Sequence, residues 1–445
     1  MTWMRAGVGL VAVALVSVVL VSGGSGADPR TPRGLPGMPP PFLGIAVVGS
    51  GHGAAAIDAY GNVVELRRPG PAGWAAISVP AERQAAGTVP ASQGLVARAR
   101  IHGHSIPLWQ ADSVRQSYLA DSNTLRTIAR FGRQQTVIVR RLGGRTGERA
   151  DRRWISQARP LGKRAPAWAR SMYERSLLTL RALTDRRTGA VAAGIRDGWA
   201  YVWPRDAGAV ALALAAAGYR AEAQRVVDFL LGLDLSAAAR FDGNGDPVAD
   251  RDAQGDASGW VAAASRAAGQ AIVVPHEPWQ ERADYQEGDA GEYLANAIAT
   301  GAGLAPFITE RGLVREAGEP GSGLDAAAAW AVRPFPRPAF FPAARRTLLR
   351  LAAQSGRFGI VPSESWEGGD DPWTAPTAWT AWSLAALGER RAALDLIAAL
   401  RRAATPLGML PERVDADTGV PASTTPLAWS HAFAIVALRE LWPPR

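Results

Sequence analysis

The sequence contains no cysteine, which removes disulfides, thiol catalysis and cysteine-ligated metal from consideration. Lysine is almost as scarce: Lys163 is the only one, so the net charge of +9 rests on arginine. Those arginines are interspersed with acids, as in GERADRRW and LGERRAALDL, and no basic block stands alone. Without such a block, and without zinc-finger spacing or an RNA-binding aromatic motif, nucleic acid is not an expected partner. What remains is a generally basic surface on a chain whose 445 residues suffice for two domains with sizeable cores.

The N-terminus has Arg5, an apolar run from about Ala6 to Val21 and then small residues. This is the layout of a secretory signal peptide over residues 1–27, cleaved before Asp28, or of a retained membrane anchor. Either predicts an exported chain, secreted or anchored to the outer face of the cytoplasmic membrane. Residues 28–42, rich in proline and glycine, read as a linker. From 43 to 142 the segments FLGIAVV, AAIDAYGNVVELRRP, GLVARARIHG and RQQTVIVRRL alternate or are β-branched between turn residues, which predicts a small β-sandwich-like domain. Residues 143–164, charged and glycine-containing, read as a second linker.

From 165 to 445 the texture is helical, with loops rich in Trp, Gly, Asp and Glu between Ala/Leu-rich helices. Two loop-plus-helix units echo each other, GIVPSESWEGGDDPWTAPTAWTAWSLAALG and GMLPERVDADTGVPASTTPLAWSHAFAIVAL. Repetition of this kind predicts stacked helical hairpins, a toroid that gathers its polar loops at one end. The fold class expected is therefore multidomain α+β, a sandwich followed by a toroid-like helical domain.

Those loops hold the materials of sugar recognition. Aromatic rings stack on the apolar face of a pyranose, and charged groups grip hydroxyls through charge-assisted hydrogen bonds. DGWAYVWPRDAGAVALALAAAGY places Tyr201, Trp203, Arg205 and Asp206 at a helix start. An Arg-Asp pair there also suits helix capping, but the neighbouring aromatics favour a sugar site. Trp366 and Trp373 fall in loops and face ligand on this reading, whereas Trp379, Trp382 and Trp429 fall at helical spacing and read as core. His431, inside the last helix, reads as a packing residue. Asp242 to Asp252 has calcium-loop-like spacing, but Ala253 stands where the last acidic ligand is needed, so an ordinary Asp/Gly turn is expected.

WAYVWPRDAGAVALALAAAGYRAEAQRVVDFL resembles the bacterial glucoamylase-type members of glycoside hydrolase family 15, in which a Trp-x-Arg-Asp segment binds the non-reducing-end sugar. GMLPERVDADTGVPASTTPLAWSHAFAIVAL resembles the family's closing motif, which implies Glu412 as general base. AQGDASGW, GSGLDAAAAWAV and YLADSNTLRT are similar to further family segments in the same order. The resemblance implies an (alpha/alpha)-six toroid behind a β-sandwich, compact and divergent here. It implies an exported hydrolase that releases a sugar from the non-reducing end of α-glucosides with inversion. Its partner would be an oligosaccharide or polysaccharide, and no metal or organic cofactor is implied.

The family's general acid directly follows a tryptophan, in Trp-Glu or Trp-Glu-Glu. The matching segment by motif order offers Trp279, Gln280 and Glu281. A literal register puts the amide Gln280 at the acid position, and a shift of one puts Glu281 there. Trp366-Glu367 is a true Trp-Glu pair, but its place matches a later, substrate-contacting loop. Glu281 is the expected acid, with Glu277 as a neighbour that would help keep it protonated, and Glu367 is the alternative. Loss of the acid gives a second reading, a catalytically impaired sugar-binding envelope protein on the same scaffold.

Overall fold

A computed structural model describes residues 19–22, 44–51, 53–70, 73–76, 96–270, 272, 274 and 278–444. The signal or anchor segment and the 28–42 linker lie outside the described residues, except for Val19–Ser22, which forms strand β1. Among the described residues no helix is long and apolar enough to cross a membrane.

The N-terminal region is built of small antiparallel sheets. Strands β2 (Ala46–Gly49), β3 (Ala54–Ile57), β4 (Val63–Gly70) and β5 (Gly73–Ala76) form one sheet in chain order. Strands β6 (Arg98–Ile101) and β7 (His104–Pro107) make a hairpin. Its two-residue loop, His102-Gly103, has positive φ at both positions, the geometry that matches strand twist. Strands β8 (Ser113–Tyr118), β9 (Leu125–Phe131) and β10 (Gln134–Arg140) form the remaining sheet, with β1 paired antiparallel to β10. In β10 every second residue is buried, the period-two signature that makes QQTVIVR a strand.

Residues 143–164, read from sequence as a linker, instead contain helix α1 (Gly144–Ile155). The helix is fixed by distant partners: Trp154 stacks on Tyr219 at 4.0 Å between ring centroids, and Asp151 pairs with Arg181 at 2.9 Å. The YLADSNTLRT stretch also joins sheet to helices. Asn123 Nδ2 donates to the carbonyls of Gly49 (3.0 Å) and Leu178 (2.8 Å), and the Tyr118 hydroxyl donates to that of Val47 (2.7 Å).

The remaining helices are α2 (Ala167–Leu183), α3 (Pro204–Ala216), α4 (Arg220–Leu231), α5 (Ala257–Ala268), α6 (Leu294–Thr300), α7 (Phe341–Ala353), α8 (Thr374–Ala386), α9 (Arg390–Ala403) and α10 (Ala428–Leu441). Helices α4, α7 and α9 bury one stripe and expose the other, as surface helices do. Helices α3, α5, α8 and α10 are buried on nearly every face, which explains their alanine content: small side chains let them crowd one axis. A short 3-10 segment, Ala326–Ala331, is wholly buried and completes this inner set. Helix α10 packs against both α8 and α3, so the inner set closes on itself. Among the described residues the ring has five successive pairs, α2/α3, α4/α5, α6/326–331, α7/α8 and α9/α10, where the resemblance implied six.

The axis of the ring is filled by aromatic rings. Trp260, Trp330, Trp379 and Phe433 meet edge-on in a closed circuit, with centroid separations of 5.1, 5.3, 5.3 and 5.7 Å. Tyr285 and Trp429 rest on Trp379, each 5.3 Å from it. The core reading of Trp379 and Trp382 holds, for both are buried.

Candidate active site

Three inner helices, α3, α8 and α10, bring the residues at their N-terminal ends to the lining of one pocket, whose enclosed volume is about 60 Å³. Helix α3 brings Trp203, Arg205 and Asp206, the loop before it brings Trp199, α8 is preceded by Trp373, and α10 brings Leu427 and Trp429. The loops between helices supply Arg251, Tyr285, Gln286, Glu287 and Glu412. The floor is Tyr285 and Trp429, resting on the aromatic plug. A concave, aromatic-lined pocket with a few convergent charges has the lining of a small-molecule site.

Arg205 is buried and held from several sides. Its Nη1 donates to Gln254 Oε1 at 2.7 Å and lies 3.3 Å from Asp256 Oδ2, while its Nη2 lies 3.4 Å from Asp206 Oδ2. The guanidinium sits 4.6 Å above the Trp429 ring. Asp206 stands in the first turn of α3, where the helix N-terminus favours a carboxylate. Burial nevertheless pushes its pKa up to about 7, Arg205 opposes the rise, and the charges of Asp256 and Glu412 add to it. Its Oδ2 is buried, accepts no hydrogen bond from the described residues and faces the Arg205 guanidinium.

Glu412 follows Pro411 in the loop before α10, and its backbone fixes it between two neighbours. Its N–H donates to the Thr424 carbonyl at 3.0 Å, and its carbonyl accepts from the Thr374 N–H at 2.9 Å. The Ser423 hydroxyl donates to Oε2. Burial raises the Glu412 carboxyl above the usual glutamate range, and Ser423, the Trp199 side chain, Arg413 and Arg251 pull it back down.

The third carboxyl of the pocket is Glu287. Trp203 Nε1 donates to its Oε1 at 3.0 Å, Gln254 Nε2 lies 3.4 Å from the same oxygen, and Arg251 Nη1 pairs with Oε2. Glu287 and Arg251 also line a larger open cleft, of about 640 Å³, that adjoins the pocket.

Glu281 is exposed and lines that outer cleft, not the pocket. The aromatic-Gln-Glu pattern occurs twice, as Trp279-Gln280-Glu281 and Tyr285-Gln286-Glu287, and the fold draws in the second. The Tyr285 hydroxyl donates to Asp325 Oδ1 at 2.9 Å, and the Gln286 amide donates to Asp325 Oδ2 at 3.1 Å and accepts from Ser363 Oγ at 3.3 Å. These contacts pin Tyr285 and Gln286 against the ring and set the exposed Glu287 at the pocket's edge, while 279–281 stay at the rim, with Gln280 exposed and Trp279 half-buried. Glu277 lies outside the described residues.

Tyr201 is half-buried beneath the Arg240 guanidinium, 4.4 Å from its ring, and stands behind the pocket wall. Trp366 meets Trp373 edge-on at 5.1 Å, so it supports the wall that Trp373 forms, and Glu367 is exposed. Trp429, read from sequence as core, is buried but lines the pocket. His431 is a buried packing residue: its Nε2 accepts from the Leu410 N–H at 3.0 Å, so Nδ1 carries the proton and faces Ser176 Oγ at 2.9 Å. In the Asp242 turn, Oδ1 accepts from the N–H groups of Asn244 and Asp246, an Asx turn.

Residues 167–234, which span α2 to α4, match the family model for glycosyl hydrolases family 15. The comparison with curated protein sequences returned no match. Among solved structures, a wild-type glycosidase is similar at 18% identity and a TM-score of 0.51, over 65% of this chain and 98% of that one. A bacterial glucoamylase complexed with acarbose is similar at 16% identity and a TM-score of 0.55, over 70% of this chain and 63% of that one. The glucoamylase of Saccharomycopsis fibuligera is similar at 12% identity and a TM-score of 0.51, over 63% and 96%. At these identities the likeness is one of fold. The chain is thus similar to glycosyl hydrolases family 15 in the sequence of its first helices and to glucoamylase structures in its fold.

Proposed function

We propose that the chain is a glycoside hydrolase that removes a sugar from the non-reducing end of an α-glucoside, with inversion. The observation that carries this reading is one pocket in which Glu287 and Glu412 meet the Trp203, Arg205 and Asp206 grip. Glu412, as carboxylate, takes a proton from a water whose oxygen attacks the anomeric carbon. Glu287, as the acid, gives its proton to the glycosidic oxygen as the bond to that carbon breaks. Acid and base must flank the bond from opposite faces. This reading replaces Glu281 by Glu287, six residues on in the same loop.

The test uses the full chain with maltose, isomaltose, trehalose and maltodextrins, with proton NMR following the anomer released. Glu412→Gln and Glu287→Gln each lower turnover by about 10²–10⁴-fold, while Glu281→Gln stays near the parent. Only Glu287→Gln recovers on α-glucosyl fluoride, whose leaving group needs no proton. Loss in Glu281→Gln alone would return the acid to that residue.

A second reading is favoured by the amides at both aromatic-Gln-Glu sites: a sugar-binding protein without hydrolysis. Binding of maltose that depends on Arg205 and Asp206, without any turnover, would establish it. Export is proposed from the N-terminal sequence alone. Cell fractionation with N-terminal sequencing tests it, and cleavage before Asp28 would remove the β1 strand.

A further inference from the structure

Arg251 holds a place that neither reading above uses. It is half-exposed, sits on the loop before α5, and lines both the inner pocket and the outer cleft, as only Glu287 does besides it among the described residues. It pairs with Glu287 Oε2, and its charge also acts on Glu412. One guanidinium therefore engages the proposed acid and lies within electrostatic reach of the proposed base, at the junction where a sugar in the pocket would continue into the cleft.

We infer that the Arg251–Glu287 pair is a latch across this junction, which the leaving-group part of the substrate must open before Glu287 can act as an acid. The inference rests on the assignment of Glu287 above. An opposing charge at ion-pair distance favours the ionised carboxylate, which has no proton to give. A substrate that fills only the pocket leaves the pair closed. One that extends into the cleft displaces Arg251 and leaves Glu287 beside Trp203 and Gln254, where protonation costs less. The other charged groups on the pocket side are Arg205, Asp206 and Glu412. On the cleft side they are Asp250, Asp252, Glu281, Arg282 and Asp289. Asp250 is held by Arg240, which leaves Arg251 to Glu287. The latch thus makes Arg251 a positioning residue that ties acid competence to occupancy of the cleft.

The experiment compares pH–rate profiles of the parent, Arg251→Gln and Arg251→Lys on maltotriose. The kcat/KM profile reports the free enzyme and kcat reports the complex. In the parent the alkaline limb of kcat/KM lies below that of kcat, because the latch is shut only in the free enzyme. Arg251→Gln moves the kcat/KM limb up by about one unit or more, towards the kcat limb, and Arg251→Lys lies between. Coincident limbs in the parent, or an equal shift of both limbs in Arg251→Gln, overturn the latch. The carboxyl carbon of Glu287, identified by 13C NMR against Glu287→Gln, gives a readout without turnover. Its midpoint rises in Arg251→Gln and rises in Glu412→Gln saturated with maltotriose, and an unchanged midpoint in both overturns the latch. Full activity of Glu287→Gln would instead defeat the acid assignment, whatever Arg251 does.

Discussion

The indole N–H of Trp203 donates to Oε1 of Glu287 at 3.0 Å, joining the start of helix α3 to a loop 84 residues further along the chain. Trp203 therefore offers a face to the pocket and an edge to the proposed acid. Trp203→Phe keeps the face and removes the donor. A hydrogen bond to a charged group is worth about 1.5–3 kcal/mol, so kcat/KM should fall about 10- to 100-fold, measured on maltotriose. An unchanged kcat/KM would show that this hydrogen bond does not orient Glu287.

Ser423 governs the other carboxyl. Its hydroxyl donates to Glu412 and favours the ionised form, against the burial that raises the pKa. A base must be deprotonated to act, so the acid limb of kcat/KM should lie above the usual glutamate range. Ser423→Ala removes the donor and should move that limb to still higher pH, with the alkaline limb unmoved. A shift to lower pH would contradict the assignment of Glu412 as base.

Gln286→Glu tests why an amide stands beside the proposed acid. The Gln286 amide donates to Asp325 and to the Tyr285 hydroxyl, and a carboxylate there would face the Asp325 carboxyl without a donor. The loss should be about 1–3 kcal/mol, read as a lower Tm by circular dichroism, with no gain in turnover. A rise in turnover would mean that position 286 is the true acid position and that Glu287 is not the acid.

His431 should leave a mark on acid stability. Burial takes its pKa down to about 3 from an ordinary 6.5. Between those values the unfolded chain binds a proton that the folded chain refuses, so the contribution of His431 is complete above pH 6.5 and is lost as pH falls towards 3. Asp206 and Asp325, both raised to about 7, work in the opposite sense, because the folded chain keeps their protons up to that pH. The difference in Tm between the parent and His431→Gln isolates the histidine. It should be largest at pH 7 and shrink by pH 4, and a difference independent of pH would contradict the buried neutral ring.

Much of the site was legible because its parts are local. Trp203, Arg205 and Asp206 sit within four residues at a helix start, and Glu412 sits in a loop whose echo marks the neighbouring hairpin. The proposed acid was not legible, because two aromatic-Gln-Glu strings lie six residues apart and nothing within either string tells them apart. The choice is made by Asp325 and Ser363, 39 and 77 residues beyond Gln286, which hold the second string against the ring. Arg251 was hidden in the same way, inside a run that reads as an Asp/Gly turn. Helix α1 was missed for a related reason: its mean composition is polar, and it is held by Tyr219 and Arg181, neither of which its own sequence announces. The inner 3-10 segment shows the limit of pattern reading, for AAAAWA has no polar face from which a period can be judged.

The circuit of Trp260, Trp330, Trp379 and Phe433 makes the ring a cup and not a tube. No chain can thread through it, so only a chain end can reach the floor. On the proposed function, a sugar released there would leave through the junction it entered by, past Arg251 and Glu287. Departure and arrival then share one doorway, and each turnover must empty the cup before the next chain end can enter.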